Sequence, residues 1–192
     1  QCGSVEELLE DLAEKMTADY PPLPALNFQV NQVPAAMAEN FSPAAYLQSR
    51  VDTPLDQKEA IYINGEYDQS LFSTVAHEGY PGHMYQNVYF KSLGLPAVRY
   101  IVGYTGWTEG WANYVEMNSY RYADGDPAVM EVIPRLERLT QDAIALVDVG
   151  IHWEGWDFQQ AWDAMNQLLM ADIPEETAYE QYKLFVENPG NY

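Results

Sequence analysis

Apolar positions recur at helical period over residues 5–19, where Val5, Leu8, Leu9, Leu12 and Met16 mark one face. Ser4 with Glu7 forms a capping-box pattern at its start, and Tyr20-Pro21-Pro22-Leu23-Pro24 ends it. Residues 26–33 and 58–64 read as extended. The run Ile61-Tyr62-Ile63 favours a strand, and Asn64-Gly65 signals a hairpin or turn after it. Between them, residues 42–49 read as a short helix capped by Ser42, with Pro43 at its first position.

From residue 69 the pattern turns helical. Residues 69–79 and 83–93 form one helix interrupted at Pro81-Gly82, and residues 105–123 form the next, stopped by Asp124-Gly125-Asp126-Pro127. A long helix follows over 127–150. Asp157 with Gln160 can cap another over 158–170. The last spans 175–187, with Pro174 near its start and Asn188-Pro189-Gly190 ending it. The pattern predicts a mainly α fold (α+β), with a small antiparallel β element near the N-terminal third. There are no internal repeats, and 192 residues are enough for a single domain over 1–192 with a real core.

Composition narrows the function classes. The formal net charge is −20, from 29 acidic and 9 basic residues, which argues against nucleic acid, whose phosphates need Lys and Arg. The same charge argues against anionic membranes as partners. The acidity suits cations or cationic substrates, and solubility is its simplest consequence. One cysteine, Cys2, rules out an intrachain disulfide and a thiolate zinc cluster. No run of about 18 apolar residues is present, so no transmembrane helix is expected. The acidic first 20 residues lack a positive n-region and do not read as a signal peptide. The sequence starts Gln1-Cys2 and stops just after a Pro-Gly turn, as a piece excised from a longer chain would.

The chemistry concentrates in two blocks. The first is His77-Glu78-Gly79-Tyr80-Pro81-Gly82-His83, which holds two of the chain's three histidines. Zinc takes imidazole nitrogen and carboxylate oxygen, and a catalytic site leaves a position for water. In the common HExxH pattern two histidines at i and i+4 share a helix face, with the Glu as general base. Here the histidines are six apart, about 240° around a regular helix. A straight helix cannot aim both at one ion. Pro81 breaks the helical ladder and Gly79 and Gly82 relax the backbone around it. A bulge or break over 79–82, with two residues looped out, would bring His83 round to His77. The bland alternative is a helix ending at Gly79 and a new one starting near His83.

The second block, Thr108-Glu109-Gly110-Trp111-Ala112-Asn113-Tyr114-Val115-Glu116, puts Glu109, Asn113 and Glu116 on one helix face. Glu109 and Glu116 stand about 10.5 Å apart along the axis. One is expected to bind the ion and the other to orient a ligand imidazole. His152 falls at a predicted helix C-terminus. There it reads first as an imidazole at the negative end of the helix dipole. Its functional alternative is a donor to an oxyanion or a substrate contact.

These blocks carry a resemblance. His77-Glu78-x-x-Pro81-Gly82-His83 with Gln86 resembles the signature of the bacterial family labelled domain of unknown function 885. Glu109-Gly110-Trp111-Ala112 through Tyr114 and Glu116 resembles its second block, and Asp148 through Trp156 its third. The Ile61-Tyr62-Ile63-Asn64 stretch also fits. The family is similar to zinc peptidases of the carboxypeptidase Taq group and, more distantly, to gluzincins, which implies a helical zincin-like domain. In gluzincins a similar block supplies the third zinc ligand from its first Glu. That implies Glu109 as ligand and Glu116 as the group behind an imidazole. The chain departs from the family pattern at Met84, where a further histidine is common. It departs again at Gln181-Tyr182 and Asn191, where an Arg-Tyr…Pro-Gly-Gln block is usual. Full members are longer at the N-terminus, so the chain corresponds to a C-terminal portion.

The expectation is therefore a zinc-dependent hydrolase of peptide bonds. His77, His83 and Glu109 hold Zn2+, and Glu78 is the general base. His152 or Tyr114 steadies the oxyanion, and Glu116 orients a ligand imidazole. The substrate is a peptide or protein. The place of action is the bacterial surface or exterior, by family habit. The competing expectation is a metal-binding or interaction module that is inactive without the longer chain.

Overall fold

The computed structural model describes residues 2–24 and 27–190. The chain reads as one domain over 1–192 and folds as two compact units, Gln1–Glu131 and Val132–Tyr192.

In the first unit, helix α1 (Val5–Lys15) runs into a 3₁₀ turn over Met16–Ala18. The Ser4 hydroxyl accepts from Glu7 N at 3.2 Å, while the Glu7 carboxylate accepts from Gly3 N rather than from Ser4. Three strands follow: β1 (Phe28–Gln32), β2 (Ala44–Leu47) and β3 (Glu59–Ile63). Leu26, at the start of the expected 26–33 extension, lies outside the described residues, as does Asn191. The sheet order is β1-β3-β2, with β1 parallel and β2 antiparallel to β3. The β element is therefore mixed rather than purely antiparallel. Asn64-Gly65 makes a turn, with Gly65 at φ +98°, but no hairpin partner follows it among the described residues. β3 alternates by the strand period, burying Glu59, Ile61 and Ile63.

Residues 42–49 correct the sequence reading: they hold strand β2 over Ala44–Leu47 and no helix. The Ser42-Pro43 start imitates a helix N-terminus, but a segment this short cannot sustain a helix alone. Pairing decides it instead. Ala44 is fully buried, Pro43 O accepts from Asn64 N at 2.9 Å, and Tyr46 sits opposite Ile61.

Helices α2 (Phe72–Glu78), α3 (His83–Ser92), the short α4 (Val98–Ile101) and α5 (Thr105–Ser119) complete the unit. α4 has no clear sequence signal. One core joins Leu8, Leu9 and Leu12 of α1, Ile61 and Ile63 of β3, and Val75 and Ala76 of α2. Burying each large aliphatic side chain here contributes about 1.5–3 kcal/mol. This core fixes α2, and α5 packs directly along α2.

Helix α6 (Pro127–Val149) leads into the second unit, where a π-helical segment covers Gly150–Glu154. Helices α7 (Phe158–Leu169) and α8 (Glu175–Glu187) follow. The capping box at Asp157 and Gln160 is fully formed, with both bonds at 3.0 Å. Val147, Ala161, Met165, Ala178 and Phe185 form this unit's core. No described helix is long and apolar enough to cross a membrane.

Candidate metal centre

The break between α2 and α3 decides the geometry. Gly79 N still donates to Val75 O at 2.8 Å, closing α2. Ala76 O, which in a continuous helix would accept from residue 80, accepts instead from Gly82 N at 2.9 Å. Two residues are thus looped out, and Gly82 stands in the helical slot of residue 80. His83 then occupies the slot four residues beyond His77, the spacing at which two helical side chains share a face. Tyr80 and Pro81, the excluded pair, are buried, and the peptide between them is cis. Gly82 is required here, because a Cβ would overlap the carbonyls of His77 and Ala76. At Gly79 a Cβ would run into the Leu9 side chain. From α5, the Trp111 indole N–H donates to Pro81 O at 3.0 Å.

The result is a cluster of His77, His83 and Glu109 whose ligand atoms all lie within 4.8 Å of one another. The imidazole rings are 4.8 Å apart and nearly perpendicular. Both imidazoles face the same carboxylate oxygen. Glu109 Oε2 lies 3.4 Å from His77 Nε2 and 3.5 Å from His83 Nε2. In a tetrahedral zinc site with bonds of about 2.0–2.2 Å, ligand atoms stand about 3.3–3.6 Å apart. The observed separations fit that spacing and are long for direct hydrogen bonds. Among the described residues His83 Nδ1 is buried with no hydrogen-bond partner, and its Nε2 faces Glu109. Two imidazoles and one carboxylate are a donor set suited to zinc.

Two turns further along α5 from Glu109, Glu116 Oε2 lies 2.9 Å from His77 Nδ1. A carboxylate at this nitrogen holds the proton there and leaves Nε2 free to face the cluster. Next to His77 in the chain, Glu78 Oε2 accepts from Tyr46 N of β2 at 2.8 Å.

The electrostatics favour a cation. Burial works against a charged His77, but Glu109 and Glu116 outweigh it and raise its pKa to about 10. Burial likewise opposes a charged Glu109, and the His77 and His83 imidazoles outweigh that, lowering it to about 2. Glu78 goes the other way. Burial raises its pKa, with the Tyr46 N–H and the two imidazoles pulling back.

Tyr114 sits on α5, 59 % exposed, with its ring tilted against Trp111. His152 belongs to the second unit, in the π-helical segment. Its Nε2 lies 2.9 Å from Phe185 O and 3.4 Å from Asp148 Oδ1. That nitrogen is already engaged within its own unit. Met84, where a further histidine is common, is fully buried in the first unit's core. Sequence reasoning missed Tyr46 as the partner of Glu78. It also missed Glu59, although its phase with Ile61 and Ile63 marks it as a charge on the buried face of β3.

The family described as bacterial protein of unknown function (DUF885) matches residues 2–182. The chain belongs to this family. Among solved structures, this DUF885 chain is similar to the crystal structure of "the putative lipoprotein from Colwellia psychrerythraea", with a TM-score of 0.75 and 22 % identity. The match covers 97 % of this chain and 32 % of that one, so the DUF885 chain spans about a third of its length. At this identity the likeness is one of fold. No curated protein matches the sequence.

Proposed function

We propose that this DUF885 chain carries the metal centre of a zinc-dependent hydrolase of peptide bonds. The observation that carries the reading is the convergence of His77, His83 and Glu109, with Glu78 following His77 in the chain. Those three residues would hold the ion. Bound there, zinc supplies Lewis acidity toward a scissile carbonyl and toward water.

The remaining work falls to the chain's own groups. Glu78 is half-buried, and burial makes its carboxylate a stronger base than an exposed one. Its Oε2 is held by Tyr46 N, which leaves Oε1 to take a proton from water and deliver it to the leaving amine. Glu116 fixes the tautomer of His77 through Nδ1. Tyr114, exposed on the same helix as Glu109, is the candidate for steadying the developing oxyanion, while the His152 Nε2 is engaged within its own unit.

The similar solved chain is about three times as long, which supports a second reading. On that reading the metal centre resides here, while the substrate cleft needs further chain. The lipoprotein name of that neighbour, together with the acidity of this chain, supports a place at the bacterial surface or exterior.

Metal analysis of the purified protein beside Glu78→Gln tests the proposal. The expected result is one equivalent of zinc in both proteins, with hydrolysis of a peptide library only by the unsubstituted one. Absence of zinc from both, even after incubation with the ion, would overturn the assignment. Comparing the chain with a longer family member would separate the two readings: zinc binding in both and cleavage only by the longer protein favours the second. Ester and amide substrates set beside the peptides test the bond class.

A further inference from the structure

We infer that a buried hydrogen-bond network around Glu59 positions Glu78, acting through the short edge strand β2; this rests on the proposed role of Glu78. The network is unusual for the core of a small unit. Glu59 and Lys91 are both nearly inaccessible, with side-chain exposures of 5 % and 7 %, yet their closest approach is 3.7 Å. A buried ion pair contributes little net stability, because desolvation offsets the attraction. These two groups direct their short bonds elsewhere. Glu59 Oε2 accepts from the Tyr46 hydroxyl at 2.6 Å, and Oε1 from the Ser49 hydroxyl at 2.7 Å. Lys91 Nζ donates to Ser49 Oγ at 2.7 Å, and Asn87 Nδ2 donates to the Tyr46 hydroxyl oxygen at 2.7 Å.

Every one of these bonds converges on β2 or the residues just after it. β2 has four residues and lies at the sheet edge, paired on one side only. Such a strand is weakly held by its ladder alone. The network anchors it to β3 through Glu59 and to α3 through Asn87 and Lys91. Burial, followed by the bond to Glu59, keeps the Tyr46 hydroxyl protonated, so it remains a donor. The same residue then presents its main-chain N–H to Glu78 Oε2 at 2.8 Å. A slip or rotation of β2 would withdraw that N–H and release the Glu78 carboxylate. Tyr46 is thus fixed at its side chain and used at its backbone. Glu59 and Asn87 are positioning residues that act through its hydroxyl, while Lys91 balances the Glu59 charge and holds Ser49.

The test is Tyr46→Phe, which removes only the hydroxyl. Zinc stoichiometry should stay that of the unsubstituted protein, while the melting temperature falls because the buried Glu59 carboxylate loses one donor. The Tyr46-position amide should lose hydrogen-exchange protection by about tenfold. kcat for peptide cleavage should fall about tenfold at unchanged KM, the mark of a displaced base rather than a lost binding contact. The paired variant Glu59→Gln/Lys91→Met keeps an acceptor for the hydroxyl and leaves no unpaired buried charge. It should retain both the protection and most of kcat. Unchanged amide protection and kcat in Tyr46→Phe would overturn the inference, and so would loss of both in a folded, zinc-loaded paired variant. If neither the unsubstituted chain nor the longer family member cleaves peptide, the peptidase reading fails on its own. The amide measurement, repeated with Glu78→Ala, then decides whether the network holds the Tyr46–Glu78 bond.

Discussion

The Trp111 indole N–H donates to the carbonyl of Pro81 at 3.0 Å, tying α5 to the turn that separates the two histidines. Trp111 lies between Glu109 and Glu116 in sequence, so one helix supplies both carboxylates and the lock on the turn. Its ring also stacks on Tyr85 of α3. Trp111→Phe keeps most of the apolar ring but removes the donor. The Pro81 carbonyl then loses its partner beneath a packed surface, at a cost of about 1–3 kcal/mol. The expected outcome is a folded protein with a lowered melting temperature and zinc affinity reduced by about tenfold. A competition titration against a coloured chelator reads the second effect. Unchanged affinity would show that the turn holds its shape without α5.

Gly82 is the most restrictive position in the turn. Its amide closes onto Ala76 O, and any Cβ would overlap the main chain of His77 and Ala76. Main-chain atoms cannot step aside as a flexible side chain can. Gly82→Ala should therefore separate α2 from α3, with a stability loss above about 3 kcal/mol and loss of stoichiometric zinc. Gly110→Ala is the matching control. Nothing lies within 4 Å of its added methyl, and it sits inside α5. A gain of about 0.5–1 kcal/mol is expected there. Urea unfolding of the two variants, followed by metal analysis, gives the comparison. Similar behaviour of the two would refute the role of the turn.

Much of this centre is legible in the sequence, and the reasons can be named. The histidine spacing of six is incompatible with a straight helix, and Gly79, Pro81 and Gly82 are the residues that allow a break, so the turn follows from local chemistry. The capping box at Asp157 is equally local. What sequence could not show was decided by tertiary pairing. Ser42-Pro43 looks like a helix start, and only the presence of β3 alongside makes residues 44–47 a strand. The parallel pairing of β1 with β3 depends on a crossover that no local pattern encodes. The Tyr46 bond to Glu78 uses a main-chain group, which carries no signature in residue type.

Glu116 tests how far the outer carboxylate matters. It touches His77 only through Nδ1, at 2.9 Å, and is absent from the cluster that could hold the ion. Glu116→Gln retains size and hydrogen-bonding capacity but removes the charge that favours a proton at Nδ1. Zinc affinity should fall about 10–100-fold with the fold intact. Glu109→Gln should be more damaging, because it takes the negative charge from a ligand group of the cluster itself. Equal affinities in the two variants would mean that the carboxylates have been assigned to the wrong roles.

The protonation of the metal-free cluster gives a last prediction. His77 has its pKa raised to about 10, because Glu109 and Glu116 outweigh its burial, so at neutral pH it carries a proton on each nitrogen. A metal can take Nε2 only by displacing one of them. Zinc binding at pH 7 should release about one proton from His77, and affinity should rise with pH until about 10. Calorimetric titrations in buffers of different ionisation enthalpy measure the release directly. In Glu116→Gln the release at pH 8.5 should shrink, since one of the two supporting charges is gone. The stability of the metal-free protein has the opposite sign at high pH. A raised folded pKa contributes stability that is full below the ordinary 6.5 and lost as pH rises through about 10. Glu109, depressed to about 2, contributes stability present above its ordinary 4.5 and lost as pH falls toward 2. The metal-free melting temperature should therefore receive its full contribution from this pair between about 4.5 and 6.5. Zinc-loaded protein should instead gain on the metal-free form as pH climbs toward 9. Zinc binding without proton release at pH 7 would mean that His77 is neutral before the metal arrives.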